Sequence, residues 1–344
     1  MNRLFFIRAD GNTKIGIGHI MRCMTIADEL VRLVKRSEVV FVCADEASAR
    51  VVRDRDFDVR VLGTDYTDME SELLEFRDIL SEYEAYDIRF LLDSYYVTNK
   101  YIESLRKFGK VAMLDDLQEQ SFPADIIINY NIYANKAKYE ELYGDKGSFY
   151  IGAKYAPLRP QFMDTTYQVK DRVENVLITM GGADYMNIAG KVYEVLGGLD
   201  SSIKYHLISG VYSPFFEELK EKEEKNDNLT VYHDVVDMAS VMKKCDVAIT
   251  AGGSTVYELS SIGVPLICIS YADNQLQNAE YIGENISDYV GAYDKAMDDT
   301  VSRLVSVFTE KYMSREYREE CYKKEKGLVD GKGAARIAQV LMND

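Results

Sequence analysis

Short apolar runs alternate with longer amphipathic stretches along most of the chain. In the first half, the runs at 4–7, 39–43, 59–62, 90–93, 111–114 and 126–128 predict β-strands. Most are apolar at every position, as strands are when both faces of a parallel sheet are covered. Between the first two runs, Ile20, Met24, Ala27, Val31 and Val34 recur at steps of three and four, one apolar stripe of a helix. Segments 70–81 and 99–108 behave alike. Strand–helix–strand alternation of this kind builds a doubly wound sheet.

The pattern breaks around 155–173, where YAPLRPQF carries two of the five prolines and a polar stretch follows. A linker is expected at 159–172, between an N-terminal domain (1–158) and a C-terminal domain (173–344). A second series then starts, with strands predicted at 176–179, 205–208, 229–232, 247–250 and 266–270. Helices are predicted at 188–196, 215–222, 235–243 and 255–261, and the chain from 301 onward reads as helical. The expected fold is therefore α/β, two Rossmann-like domains facing one cleft, with ligands bound beyond the carboxyl ends of the strands.

The 344 residues are 47% hydrophobic and 28% charged, enough apolar material to bury two cores. The formal net charge of −16 argues against nucleic acid as a partner, since nucleic acid is held through cationic contacts to phosphate. An anionic small molecule must then be held locally, by helix N-termini, glycine-rich backbone and single cations. The five cysteines, Cys23, Cys43, Cys245, Cys268 and Cys321, form no CxxC pair and read as buried thiols of a cytoplasmic protein. With three histidines there is no His/Cys/Asp cluster at ligand spacing, so neither metal nor cofactor is expected. The N-terminal apolar run of four residues is too short for a membrane span and reads as a first strand. A monomer without membrane insertion is expected.

Four stretches carry candidate chemistry. The first, RADGNTKIGIGHIMR, follows the first strand and opens the first helix. Gly16 and Gly18 permit unusual backbone angles and close approach, and His19 falls at the helix N-terminus. That position disfavours an imidazolium, so a neutral ring acting as general base is one reading. A structural histidine capping the helix is the other. Asp10 is the nearest carboxylate in sequence to orient the ring, and Gly16, Gly18 and Arg22 are taken as substrate contacts.

The second stretch is TAGGSTVYEL, 250–259. Gly252 and Gly253 precede a helix for which Ser254 and Thr255 are N-cap candidates, and free N–H groups there suit a diphosphate. Glu258 either accepts hydrogen bonds from ribose hydroxyls or serves as a capping or macrodipole glutamate. The third, SYADNQLQN, offers Asn274, Gln275 and Asn278 for sugar recognition, unless it is a polar loop capping the next helix. The fourth, TMGGADYMN, places Gly181 and Gly182 in a second nest of backbone donors. Tyr95 ends a strand and is a further substrate contact, with Tyr96 beside it able to exchange roles. Asp115–Asp116 also ends a strand and is read as a turn or helix start.

In their order along the chain, RADGNTKIGIGHIMRC, LLDSYYV, TMGGADYMN, AGGSTVYELSSIGVP and DNQLQNA resemble the UDP-2,4-diacetamido-2,4,6-trideoxy-β-L-altropyranose hydrolases of pseudaminic acid biosynthesis. The C-terminal motifs also look like those of the lipid II-forming N-acetylglucosaminyltransferase. The resemblance spans essentially the whole chain. It implies a GT-B-like architecture, a UDP-sugar substrate, and metal-independent water attack at the anomeric carbon with inversion. It implies His19 as the catalytic base, with Tyr95 and Asn274 on the substrate, Glu258 on the uridine ribose, and Ser254 and Thr255 at the diphosphate. A glycosyltransferase using a UDP-sugar donor and a non-catalytic nucleotide-sugar-binding protein are the alternatives.

Overall fold

The protein is described by a computed structural model covering residues 2–12, 15–144, 147–182, 184–210, 212–293 and 297–343. It divides into two compact units, Met1–Leu158 with Lys332–Asp344, and Arg159–Gly331. The described residues of the first unit form a seven-stranded parallel sheet of β1 (Arg3–Ala9), β2 (Val39–Cys43), β3 (Asp58–Val61), β4 (Asp87–Asp93), β5 (Gly109–Leu114), β6 (Ile126–Asn129) and β7 (Ser148–Ile151). The connecting helices are α1 (Gly18–Leu30), α2 (Glu46–Arg53), α3 (Leu73–Ser81), α4 (Asn99–Leu105) and α5 (Lys136–Tyr143).

Side chains alternate across a strand, and here both faces are covered. Phe5 and Ile7 of β1 pack with Phe41, Leu91, Ile20 and Met24 on one face. Leu4 and Phe6 pack with Val40, Phe90, Phe76 and Tyr101 on the other. The strand order β3-β2-β1-β4-β5-β6-β7 reverses its direction of growth between β1 and β4, and that is where a doubly wound sheet opens for a ligand.

The second unit repeats the plan with β8 (Asn175–Thr179), β9 (Lys204–Ser209), β10 (Leu229–His233), β11 (Val247–Ala251), β12 (Leu266–Ser270) and β13 (Asp288–Ala292). Their order is β10-β9-β8-β11-β12-β13, so the reversal falls between β8 and β11. Its helices are α6 (Ile188–Leu196), α7 (Phe216–Glu224), α8 (Met238–Met242), α9 (Thr255–Ile262), α10 (Asp273–Asn285), α11 (Met297–Val307) and α12 (Arg315–Lys326).

A final helix, α13 (Gly333–Asn343), returns to the first unit. Its Ala334, Ile337, Ala338 and Leu341 share a core with Ile20, Cys23 and Ala27 of α1. The hydrophobic pattern alone grouped this helix with residues 173–344. Nor do residues 159–172 form a free linker. Thr165 Oγ1 donates to Ser261 O at 2.9 Å and Tyr167 OH to Cys245 O at 3.0 Å, which pins the segment to the second unit.

Candidate functional site

Two clusters sit at the carboxyl ends of the strands, one in each unit. In the first unit β1 ends at Ala9, opposite Asp93 of β4 in the parallel register. The chain then turns through a glycine segment in which Gly16 adopts φ +75°, a left-handed angle that favours glycine. The Asn12 N–H donates to Gly16 O at 3.1 Å and closes the turn. α1 begins two residues later, so His19 lies in its first turn, directly above the end of β4.

His19 Nδ1 lies 2.7 Å from Asp93 Oδ1. Asp93 is buried, and burial alone would raise its pKa. The Arg22 guanidinium and His19 more than offset that, and hold the carboxyl well below the usual carboxylate range. An ionised carboxylate only accepts, so the hydrogen between the two groups belongs to Nδ1. In the neutral ring a proton on Nδ1 leaves Nε2 the lone pair; Arg22 Nη2, which only donates, also stands 3.0 Å from Nδ1 and is shared with Asp93 Oδ1. Nε2 makes no hydrogen bond to any described residue, and the His19 side chain keeps 11% of its surface exposed.

Arg22 grips the same carboxylate through two nitrogens, with Nε to Oδ2 at 2.6 Å. Its remaining nitrogen reaches Asp116 Oδ2 at 2.8 Å and the Tyr130 hydroxyl. Burial opposes the charge, but Asp116, Asp93 and Tyr130 outweigh it and raise the Arg22 pKa well above its usual value. Arg22, placed among the substrate contacts by sequence, has its fork taken up inside the protein and braces Asp93. Asp10 does not orient His19, because it accepts from Ala44 N at 2.7 Å and pairs with Arg8. Asp115 has the turn role expected of it, accepting from Leu117 N and Gln118 N at 3.1 Å each. Asp116 instead joins the Arg22 network.

Of the two adjacent tyrosines, Tyr95 stands edge-on to His19 with ring centroids 4.7 Å apart, whereas Tyr96 packs on Tyr66. Burial, with the nearby Asp116 carboxylate, pushes the Tyr95 hydroxyl up to about 12, so it remains a donor at neutral pH.

In the second unit three of the predicted stretches converge. β8, β11 and β12 are neighbours, with Thr179 opposite Thr250 and Ala251 opposite Ile269. The turns at Gly181–Gly182 and Gly252–Gly253 and the segment after Ser270 therefore emerge side by side. The two glycine turns differ in what their helices offer. The N-terminus of α6 is closed by the Asp184 carboxylate, which accepts from Ile188 N at 2.9 Å and Ala189 N at 2.8 Å. Gly181 and Gly182 therefore lead into a helix end already satisfied from within. At α9, Ser254 holds the N-cap position without a side-chain capping bond, which corrects the capping role expected of Ser254 and Thr255. The N–H groups of Gly253, Ser254 and Thr255 take no partner among the described residues. Unsatisfied donors and the helix dipole together favour an anion there.

Gly252 and Gly253 are glycines for different reasons. A Cβ on Gly252 would lie 2.6 Å from Gln275 O, whereas one on Gly253 meets nothing within 4 Å. Glu258 follows one turn into α9. It is neither a capping-box nor a free glutamate, because Arg159 Nη2 donates to its Oε1 at 3.1 Å. Burial raises the Glu258 pKa, with Arg159 pulling the other way.

The polar stretch 273–278 is the start of α10, not a loop. Asn274 is exposed there. Gln275 accepts from Tyr271 N at 3.0 Å and so closes its own helix end. Asn278 is buried, accepting from Tyr257 OH at 2.9 Å and donating to Gly252 O at 3.2 Å. Its amide ties α10 to the glycine turn and is not available to a ligand, which corrects its assignment to the substrate. Sequence reasoning missed Asp93 as the group that orients His19, and it missed Arg159. The signal for Asp93 is topological: in this strand order the fourth strand must end beside the first. Arg159 lay in a stretch read as linker.

Two parallel Rossmann-like sheets in succession define a GT-B-like fold. Residues 175–340 match the model of the glycosyltransferase family 28 C-terminal domain. MurG of Acinetobacter baumannii superposes with a TM-score of 0.70 at 15% identity, over 99% of this chain and 100% of that one. Anabaena Alr3699/HepE in complex with UDP superposes at 0.60 with 11% identity, over 99% and 100%. Among relatives in sequence, the Campylobacter jejuni UDP-2,4-diacetamido-2,4,6-trideoxy-β-L-altropyranose hydrolase is 22% identical, over 80% of this chain and 95% of its own length. The Bacillus subtilis spore coat polysaccharide biosynthesis protein SpsG is 26% identical over 98% and 97%. The Methanocaldococcus jannaschii protein MJ1062 is 24% identical over 80% of this chain, which spans 57% of that protein.

Proposed function

We propose that the protein hydrolyses a UDP-linked amino sugar to UDP and the free sugar. The observation that carries this reading is the Asp93–His19 pair, in which Nδ1 is engaged and Nε2 is left open. In the proposed reaction His19 Nε2 takes a proton from water. The water oxygen attacks C1 of the sugar, the C1–O bond to the diphosphate breaks, and its electron pair leaves with UDP. A single displacement inverts the anomeric centre. Negative charge gathering on the departing diphosphate is met by the free N–H groups of Gly253, Ser254 and Thr255. Glu258, held by Arg159, is placed one turn further for the ribose hydroxyls, and Tyr95 and Asn274 are the side chains assigned to the sugar. The reading invokes no metal.

The C. jejuni relative's name supplies the particular sugar, 2,4-diacetamido-2,4,6-trideoxy-β-L-altropyranose, and with it a place in pseudaminic acid biosynthesis. The GT-B neighbours favour a second reading, transfer of the sugar to an acceptor other than water. Incubation of the protein with a UDP-amino sugar and no acceptor separates the two. Equal amounts of UDP and free sugar mean hydrolysis. UDP release that waits for an added acceptor means transfer.

A further inference from the structure

The RADG segment at 8–11 takes no part in the proposed chemistry, yet it carries two buried charges. Arg8 is fully buried. Its fork meets Glu72, in the turn before α3, with Nε to Oε1 and Nη2 to Oε2 at 2.8 Å each. The third nitrogen donates to Asp10, and Glu72 also accepts from the Tyr101 hydroxyl. One cation thus faces two carboxylates out of contact with water. Such a network adds little to stability, because the cost of desolvating the charges offsets most of their attraction. What its directed, charge-assisted bonds do set is geometry.

The geometry in question is that of the chain leading to His19. Asp10 Oδ1 accepts from Ala44 N at 2.7 Å, which ties the exit of β1 to the residue after β2. Gly11 N donates to Ser48 Oγ at 3.0 Å, a bond to α2. Gly11 also lies hard against the start of α1. A Cβ there would stand 2.6 Å from Ile20 Cγ2 and 3.3 Å from the Ile17 Cα. Ile17 and Ile20 bracket His19 at the head of that helix. The helix head is therefore seated on a segment held at two successive residues, and across from it Nδ1 meets Asp93 at 2.7 Å.

Resting on the hydrolase reading, we infer that Asp10 and Gly11 are positioning residues for His19. Neither touches the ring. The Arg8-bound Asp10 carboxylate fixes where the chain leaves β1, and the missing side chain of Gly11 lets α1 settle at the distance that the His19–Asp93 bond requires.

The test measures UDP release from a UDP-amino sugar by Asp10→Asn and by Gly11→Ala, with folding checked by circular dichroism. A misplacement of about 1 Å costs a catalytic group about 10²-fold. Each variant should lose about 10- to 100-fold in kcat, with KM and UDP affinity within about twofold of native. Each substitution is then added to Asp93→Asn, which already breaks the pair that the segment serves. There the further loss in kcat should be less than about twofold, because the effect travels through His19 and Asp93 alone. A full multiplicative loss in that background, a loss that falls on KM, or near-native kcat in both single variants overturns the inference and leaves hydrolysis standing. Absence of UDP release by the native chain overturns the hydrolase reading itself, and this inference with it.

Discussion

His19 does its proposed work only if its proton is on the correct nitrogen, and Asp93 decides that. Replacing Asp93 by Asn offers the ring an amide that can also donate, so the tautomer that leaves Nε2 open loses its preference. Asp93→Asn is expected to lower kcat by about 10²–10⁴-fold, the range in which misoriented bases fall. UDP affinity, measured by calorimetry, should stay within about twofold, because the groups proposed for the nucleotide belong to the other unit. His19→Asn should remove turnover with UDP affinity equally intact. Near-native turnover in either variant, with the fold checked by circular dichroism, would take that residue out of the mechanism. The position of His19 was legible from its glycine-rich segment, but its partner was not. Asp10 is close in sequence yet serves Arg8 and the Ala44 backbone. Asp93, 74 residues from His19, becomes adjacent only through the pairing of β4 with β1. Asn278 shows the converse: an amide in a polar run looks like a ligand group until its helix turns it inward onto Gly252.

At the scale of elements, the two glycines before α9 separate structural need from proposed binding. Gly252→Ala drives a methyl into the Gln275 carbonyl of α10 and should cost about 1–3 kcal/mol of stability, read by chemical denaturation. Gly253→Ala meets no protein atom, so its unfolding midpoint should hardly move while UDP affinity falls about tenfold or more. Unchanged affinity there would place the diphosphate elsewhere. A pH dependence belongs to α12. Glu325 is fully buried, accepts from Leu266 N and Ser287 Oγ through Oε1, and leaves Oε2 without a partner. Burial raises its pKa well above the ordinary 4.5. Its favourable contribution is therefore complete below about pH 4.5 and is lost as pH rises through the raised value. Glu325→Gln should raise the unfolding temperature relative to the native chain at pH 8 and leave it nearly unchanged at pH 4. The reverse ordering would mean that the carboxylate is the stabilising form.

Across the whole molecule, the interior strands were legible because both their faces are buried and their residues are apolar throughout. β7 and β13 were not: both are edge strands, and SFYI and DYVGA are short and only partly buried. The return of α13 to the first unit was equally hidden, because an amphipathic helix does not state which sheet its stripe covers. What the strand order adds is one ligand-facing edge in each unit, the first carrying His19 with its Asp93 partner and the second a set of free backbone donors. The proposed reaction is water attacking the sugar carbon. Turnover of the UDP-amino sugar in ¹⁸O-enriched water, without acceptor, tests that directly through the mass of the released UDP. The account predicts UDP with no added label, since the new oxygen goes to C1 of the sugar. UDP carrying one ¹⁸O would mean attack at phosphorus and would contradict it.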